Sequence, residues 1–479
     1  MGASSYANST YDPAVANSGN AGSYTGTYKL RLERIDGSTS SLSGLNAPAI
    51  SGTAARSSVA AANVGQTLTV TGSGLVSTDR VVFLTQDSAG NLNSVSVTPT
   101  SVAADGTSLA VVIPNNAASG TVRIARENAG QFLQIVPTLV DVDQGLNDVF
   151  RGGGLRLRGT GFIEGAVTVN FGSVAVVDTS AANGPNVFAG YVFENDAMDL
   201  TVPSNAPYGP VTVTTLGGTS APYGLTLSGI VAVAGSGTPA NAAVASANPG
   251  QAITLQGSGF DTTTDVVFET LDSAGNRSER VVRPVAVNAA ATELTVVVPL
   301  DVAVTGVVGI VGDRNNAALA LQIVPVLDSV DFTSIAGDGS SAQVVLRGAG
   351  FTEGVGTYRF GNVDVIDNSV GQGPDVRGQF IRDNDSVFLT LPTTGDYHGA
   401  VTVTNAGGTS APRSSGFTGI TTTALSGTPA DAAKASANPG QSITLNGTGL
   451  TTTSDIISIV AKTGRFTQIS ASHCILLYL

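Results

Sequence analysis

The chain repeats itself, and the repeat limits its architecture before any single motif is read. The stretch Asn63-Val-Gly-Gln-Thr-Leu-Thr-Val-Thr-Gly-Ser-Gly-Leu75 returns as Asn248-Pro-Gly-Gln-Ala-Ile-Thr-Leu-Gln-Gly-Ser-Gly-Phe260. It returns again as Asn438-Pro-Gly-Gln-Ser-Ile-Thr-Leu-Asn-Gly-Thr-Gly-Leu450. A related motif lies between the copies, at Gly154–Phe162 and Gln343–Phe351. The second glycine of each Gly-x-Gly falls at Gly74, Gly161, Gly259, Gly350 and Gly449, which spaces the motifs 87 to 99 residues apart. Two module types therefore alternate in the order A-B-A-B-A, each of small-domain size.

Further motifs keep the same offsets. The A modules share Ser51-Gly-Thr53, Ser236-Gly-Thr238 and Ser426-Gly-Thr428, and two of them share Asp87-Ser-Ala-Gly-Asn91 and Asp272-Ser-Ala-Gly-Asn276. The B modules share Phe171-Gly172 with Phe360-Gly361, and Gly217-Gly-Thr-Ser220 with Gly407-Gly-Thr-Ser410. Within each module the apolar period is two. Ile253 and Leu255 alternate with Thr254 and Gln256, and Val211-Thr-Val-Thr214 and Val401-Thr-Val-Thr404 do the same. That alternation predicts half-buried strands. Clusters of Gly, Asn, Asp and Ser separate the runs and predict turns. The Ala-rich stretch 240–247 stops at Asn248-Pro249 and is expected to be a loop or a single helical turn. Many short strands in units of this size predict sandwiches of two antiparallel sheets.

The Gly-x-Gly motifs admit a rival reading as phosphate loops. A dinucleotide fingerprint opens a helix and places its third glycine three residues after the second. Here Gly165 and Gly354 fall one residue too far, and strands follow. The motif is read as a sharp turn out of a core strand, with Leu75, Phe162, Phe260, Phe351 and Leu450 returning to the core.

The pattern resembles the bacterial extracellular branch of the IPT/TIG family, an immunoglobulin-like fold. Pro249-Gly250 and Pro439-Gly440 carry the resemblance, with the strand and Gly-x-Gly turn that follow, Phe171-Gly172 and Phe360-Gly361, the strand ends Val202-Pro203 and Val298-Pro299, and the closing Gly-Gly-Thr-Ser. Val64 departs from the proline. The resemblance implies an all-β protein of tandem immunoglobulin-like β-sandwiches arranged as an elongated rod, and it brings no catalytic residues. Residues 4–33, with Tyr24, Tyr28, Leu30 and Leu32 alternating, resemble the last strands of a bacterial pre-peptidase C-terminal domain. The expected divisions are 1–46 as the remnant of that domain, 47–136 as A1, 137–227 as B1, 228–324 as A2, 325–419 as B2, and 420–479 as a truncated A3 with an aberrant tail. After Thr463 the chain departs from its sister copies and ends in a segment holding His473 and Cys474, as a frameshifted or truncated reading frame would.

Charged residues make up 12% of the chain, against roughly 25% in ordinary globular proteins. The net charge of −13 opposes nucleic acid and anionic membranes. No segment reaches the roughly 20 apolar residues of a membrane helix. One cysteine excludes a disulfide framework.

Candidate chemistry is sparse. Two histidines and one cysteine assemble neither a zinc site nor a Cys/His nucleophile. His398 stands where the sister module has Tyr208, so a surface-loop role is expected. Acidic clusters remain: Asp141, Asp143 and Asp148, then Glu194 with Asp196, and Asp383 with Asp385 at the equivalent place in B2. Calcium takes several oxygens from such loops, and turn chemistry explains Asn-Asp pairs equally. No other cofactor is expected.

These features predict a non-catalytic segment of a secreted or cell-surface bacterial protein. It would serve as a stalk or spacer with adhesion or matrix contacts, and its partners would be surface protein or polysaccharide and neighbouring domains of a longer chain. The alternative is an accessory substrate-binding region of a secreted peptidase or glycosidase. Trp is absent, and the tyrosines expected to be exposed (Tyr191, Tyr208, Tyr223, Tyr358, Tyr397) are scattered, which weighs against an aromatic sugar platform. The short apolar links at 134–137 and 322–325 predict stiff A-to-B joints, and the Ala/Ser/Gly-rich B-to-A links predict looser ones.

Overall fold

The computed structural model describes residues 40–127, 129–145, 149–190, 192–300, 303–335, 341–380, 383–392, 399–414, 416–448, 450, 456–459 and 475–478. These residues form β-strands, turns and loops. The N-terminal stretch with the pre-peptidase resemblance, Asp148, His398, Tyr191, Tyr397, His473 and Cys474 lie outside the described residues.

Each of the first four modules is a sandwich of a four-stranded and a five-stranded sheet. In A1 the first sheet orders Ser41–Asn46, Thr67–Ser73, Ser108–Val112 and Ser101–Val102. The second orders Ala61–Ala62, Gln131–Ile135, Gly120–Ile124, Val81–Gln86 and Leu92–Val97. A2 repeats both orders strand for strand. The alternation seen in sequence is the burial pattern: Leu68, Val70, Leu109 and Val111 point inward and are at most 2% exposed. B1 and B2 share a different pair of orders. In B1 the four-stranded sheet is Thr138–Asp143, Gly154–Thr160, Ala197–Thr201 and Asn186–Phe188.

The Gly-x-Gly motif has two physical jobs. Its first glycine sits at a β-bulge. In B1 the register of Thr138–Asp143 slips between Leu139 and Asp141, and a Cβ on Gly159 would overlap the Thr138 carbonyl oxygen. The same overlap occurs at Gly72, Gly257 and Gly348. The second glycine turns the chain in the left-handed region, with φ of 65°, 73°, 76° and 74° at Gly74, Gly161, Gly259 and Gly350. The residue that follows folds back into the core: Leu75, Phe162, Phe260 and Phe351 are all at most 3% exposed.

Three module boundaries shift. Ser41–Asn46 pairs with Thr67–Ser73, so A1 starts before residue 47. Thr226–Val231 pairs with Ala252–Ser258, and Leu225 and Leu227 lie in the A2 core, so A2 starts before 228. Gly416–Thr421 pairs with Thr444–Thr448, so A3 starts before 420. In each case the glycine motif needs a bulged partner strand, and that partner precedes the position where the sequence motifs begin. The stretch 240–247 is a loop with a turn, as expected, and it ends in a two-residue strand at Ser246–Ala247.

Phe171 is fully buried in the B1 core, edge-on to Phe150 with ring centroids 6.2 Å apart. Phe171→Ala is expected to destabilise B1 by about 3–5 kcal/mol, read as a lower urea midpoint for the unfolding step reported by B1.

Candidate functional site: the joints between modules

The motifs that mark the A and B modules meet each other at the A-to-B joint. Thr53–Ala54, from the Ser-Gly-Thr motif of A1, pairs antiparallel with Gly218–Thr219 and becomes the fifth strand of a B1 sheet. Thr238–Pro239 of A2 pairs with Gly408–Thr409 of B2 in the same way. The ladder extends by one bond at each joint, Ala55 N–H to Gly217 O at 3.1 Å and Ala240 N–H to Gly407 O at 3.1 Å. Pro239 is tolerated because the donated strand is the edge of its sheet.

The donor is held in place by the other A motif. Asn63 is 2% exposed. Its Oδ1 accepts the N–H groups of Ile50 at 3.0 Å and Ser51 at 2.9 Å. Its Nδ2 donates to Ser51 O at 3.0 Å and Val136 O at 2.9 Å. The side chain therefore ties the donor strand to the link between modules. Asn248 does the same with Ser236 and Val324 O. Gln66 and Gln251 brace these asparagines by accepting their backbone N–H at 3.0 Å. Removing such a side chain strands several buried polar groups, at a cost of about 1–3 kcal/mol for each.

The acceptor is equally specific. Ser220 closes the Gly-Gly-Thr-Ser hairpin: its Oγ accepts Val213 N–H at 3.0 Å, and its own N–H donates to Val213 O at 2.8 Å. Ser410 repeats both bonds on Val403. Gly218 has φ 140°, and a Cβ there would overlap Thr53 O; a Cβ on Gly217 would overlap Ile135 O. Close backbone approach is the physical reason for the paired glycines.

A second contact seals the same joint. Glu164 N–H donates to Gln86 Oε1 at 2.8 Å, and Gln86 Nε2 donates to Glu164 O at 3.1 Å. Asn195, at φ 61°, donates to Gln86 O at 3.1 Å, and Asn384, at φ 56°, donates to Leu271 O at 2.6 Å. Burial raises the carboxyls of both Glu164 and its counterpart Glu353 above the usual range.

The B1-to-A2 joint is packed rather than loose, which corrects the sequence expectation. Val267 and Val311 of A2 are buried within the B1 core cluster. Arg151 of B1 pairs with Glu279 of A2, lies 4.5 Å over the Tyr208 ring, and the Tyr208 hydroxyl donates to Glu279 Oε1 at 2.7 Å. Arg314 of A2 donates to the carbonyls of Pro222 and Tyr223. Arg283 of A2 bridges Asp265 of its own module and Asp143 of B1. Asp265 also accepts Gln144 N–H of B1 at 2.9 Å.

The acidic candidates thus divide. Asp141 and Asp143 come together on Arg158, at 2.7 Å and 3.1 Å, within the joint network. Burial raises the Asp141 carboxyl despite that arginine. Glu194 accepts Ser88 N–H of A1 at 3.2 Å. Asp196 accepts N–H from Gly190, Val192 and Phe193, and Asp385 accepts N–H from Gln379 and Phe380. Asp383 is exposed. Among the described residues no three Asp, Glu, His or Cys side chains gather to hold a metal ion. Tyr208 and Tyr358 are buried, at 5% and 0% exposure, and Tyr223 is partly buried at the joint, so none of the three is an exposed platform.

Sequence reading missed Asp265, Glu279 and Arg283. The signal was present as a difference between sister modules. Ladder register places Arg80 and Thr98 of A1 where A2 has Asp265 and Arg283, and Arg123 where A2 has Gly309. A Cβ on Gly309 would press into the Tyr208 ring.

No protein-family model matches the chain. No curated protein matches it either. Solved structures do align. One, a crystal structure with xylogluco-oligosaccharide, is 16% identical over 65% of this chain and 69% of its own, with a TM-score of 0.17. A tetra-tandem repeat in the extending region of a large adhesion protein is 16% identical over 73% of this chain and 94% of its own, with a TM-score of 0.15. SGBP-B from a complex xyloglucan utilization locus in Bacteroides uniformis is 14% identical over 59% of this chain and 96% of its own, with a TM-score of 0.16. No helix among the described residues is long and apolar enough to cross a membrane.

Burial raises the Asp265 carboxyl from 3.8 to about 6, against the Gln144 N–H and the Arg283 guanidinium, which lower it. Its charged form is the disfavoured one in the folded joint. Its contribution to stability is therefore fully present below 3.8 and is lost as pH rises through 6. Melting of the wild-type chain and of Asp265→Asn across this range checks the sign. The wild-type Tm is expected to fall relative to the variant as pH rises, whereas a constant difference would show that Asp265 does not titrate there.

Proposed function

We propose that the chain is a non-catalytic stalk segment of a secreted or cell-surface bacterial protein, holding surface or matrix contacts at a distance. The observation that carries this reading is strand donation. A1 and A2 each complete a sheet of the module that follows, so a module and its successor share a hydrogen-bonded sheet. The B1-to-A2 joint adds a shared apolar core and a charged network. A chain with these joints transmits force and orientation from one module to the next. A hinged enzyme arm would separate its modules with solvated linkers. The sandwich pairs suit the immunoglobulin-like resemblance drawn from the sequence.

The experiment is small-angle X-ray scattering of the full chain. Strands of several residues at about 3.3 Å rise make each sandwich roughly 30–40 Å long, so a stiff array exceeds about 100 Å in maximum dimension. A single compact particle would overturn the stalk reading. Gly218→Val, which places a side chain on the Thr53 carbonyl, is expected to loosen the A1-to-B1 joint: the scattering should show a broader distance distribution, and protease should cut near residues 50–56 while the A1 and B1 cores stay intact.

A further inference from the structure

The chain carries two Asn-Gly pairs, and the fold treats them differently. Asn446-Gly447 lies within the strand Thr444–Thr448, paired with Gly416–Thr421, and the Asn446 amide donates to Thr421 Oγ1. Asn183-Gly184 lies in an exposed turn of B1, between the strands Val174–Val177 and Asn186–Phe188. There Asn183 folds back on the turn: its N–H donates to Ser180 O at 3.1 Å, and its Nδ2 donates to Ser180 Oγ at 3.2 Å. Among the described residues nothing accepts the Gly184 N–H, and a Cβ on Gly184 would meet no atom nearer than 3.8 Å. The Gly184 nitrogen is thus unpinned and unshielded beside the Asn183 side chain. The sister turn of B2 has the same frame with a different residue. Asp178 accepts the N–H groups of Gly165 and Ser180, as Asp367 accepts those of Gly354 and Ser369. Gln372-Gly373 stands where B1 has Asn183-Gly184.

We propose that Asn183 is a site of spontaneous covalent modification, through which B1 converts to an aspartate or isoaspartate form as the protein ages and its contact with A1 loosens. The Gly184 nitrogen attacks Asn183 Cγ and gives up its proton to solvent. A C–N bond forms, the Cγ–Nδ2 bond breaks, and ammonia departs to leave a succinimide ring. Water then opens the ring at either carbonyl. One opening gives aspartate. The other gives isoaspartate, in which the main chain runs through the former side chain and is longer. These steps need only water. Gln372 would have to close a larger ring, so the B2 turn is a comparison built into the chain. The modified turn abuts the A1-to-B1 joint. A Cβ on Gly90 of A1 would lie 3.6 Å from Ala181 Cβ. Val187, just past the turn, donates its N–H to Glu164 Oε2 at 2.6 Å, and the Glu164 main chain holds Gln86 of A1. A lengthened main chain at residue 183 displaces that support.

The full chain is incubated in warm, mildly alkaline buffer and digested. Its peptides are read for the mass gain of amide-to-acid conversion, and for isoaspartate by enzymatic methylation. Conversion at Asn183 with Gln372 unchanged is expected. Gly184 is exposed and lies outside the left-handed region, so Gly184→Val shields the nitrogen while the fold stays in place. That variant should slow conversion by about tenfold or more, and Asn183→Gln should abolish it. Hydrogen exchange then reads the joint. The amides of Val187 and Glu164 should exchange faster in the aged chain than in the fresh one, and the aged Asn183→Gln chain should exchange like the fresh one. An aged chain with Asn183 intact, or conversion at an unchanged rate in Gly184→Val, overturns the modification site. Conversion with no change at Val187 and Glu164 overturns its coupling to the joint.

Discussion

A sheet edge is a row of unpaired N–H and C=O groups, and an array of sandwiches must cover its edges or aggregate through them. Here the Gly218–Thr219 edge of B1 is covered by two residues of the preceding module. So short a strand has little pairing energy of its own. It stays in place because Asn63 spends its side-chain oxygen and both amide hydrogens on the donor and on the Val136 carbonyl. The close approach of Gly217 to Ile135 and the hydrogen-bonded contact of Gln86 with Glu164 lie at the same joint.

The two kinds of joint use different physics. The A-to-B joint is made of backbone geometry, and its parts are glycine, serine and asparagine. The same parts occur at both A-to-B joints because they are what backbone pairing needs. The B1-to-A2 joint is made of side chains: Val267 and Val311 enter the neighbouring core, and Arg151, Arg283, Asp143, Asp265 and Glu279 are arranged around it. Burying carboxylates there carries a desolvation cost that the two arginines offset only in part, and the raised Asp265 reflects it. Such a joint is private to its pair of modules, and A1, with Arg80, Thr98 and Arg123 at the matching positions, is not built to form it.

The acidic residues that drew attention in the sequence are part of this framework. Asp196 and Asp385 cap turns by accepting backbone N–H groups, and these turns hold Asn195 and Asn384 in the left-handed region from which they reach the preceding module. Asp141 and Asp143 share Arg158. Recurrence at equal offsets identified positions under a shared constraint, and the constraint visible in the structure is joint geometry.

The sequence by itself determined the strand period and the turn glycines, because each is set by residues close together in the chain. Alternation of period two makes Ile253 and Leu255 a buried face whatever lies beyond them, and Gly161 turns the chain where Gly154–Thr160 ends. Only the tertiary structure decided that Ser51-Gly-Thr53 and Gly217-Gly-Thr-Ser220 belong to one sheet, that three modules begin before their first motif, and that the B1-to-A2 joint is packed. Those facts depend on contacts between residues from tens to more than a hundred positions apart, and a repeat states that such residues recur without stating what they touch.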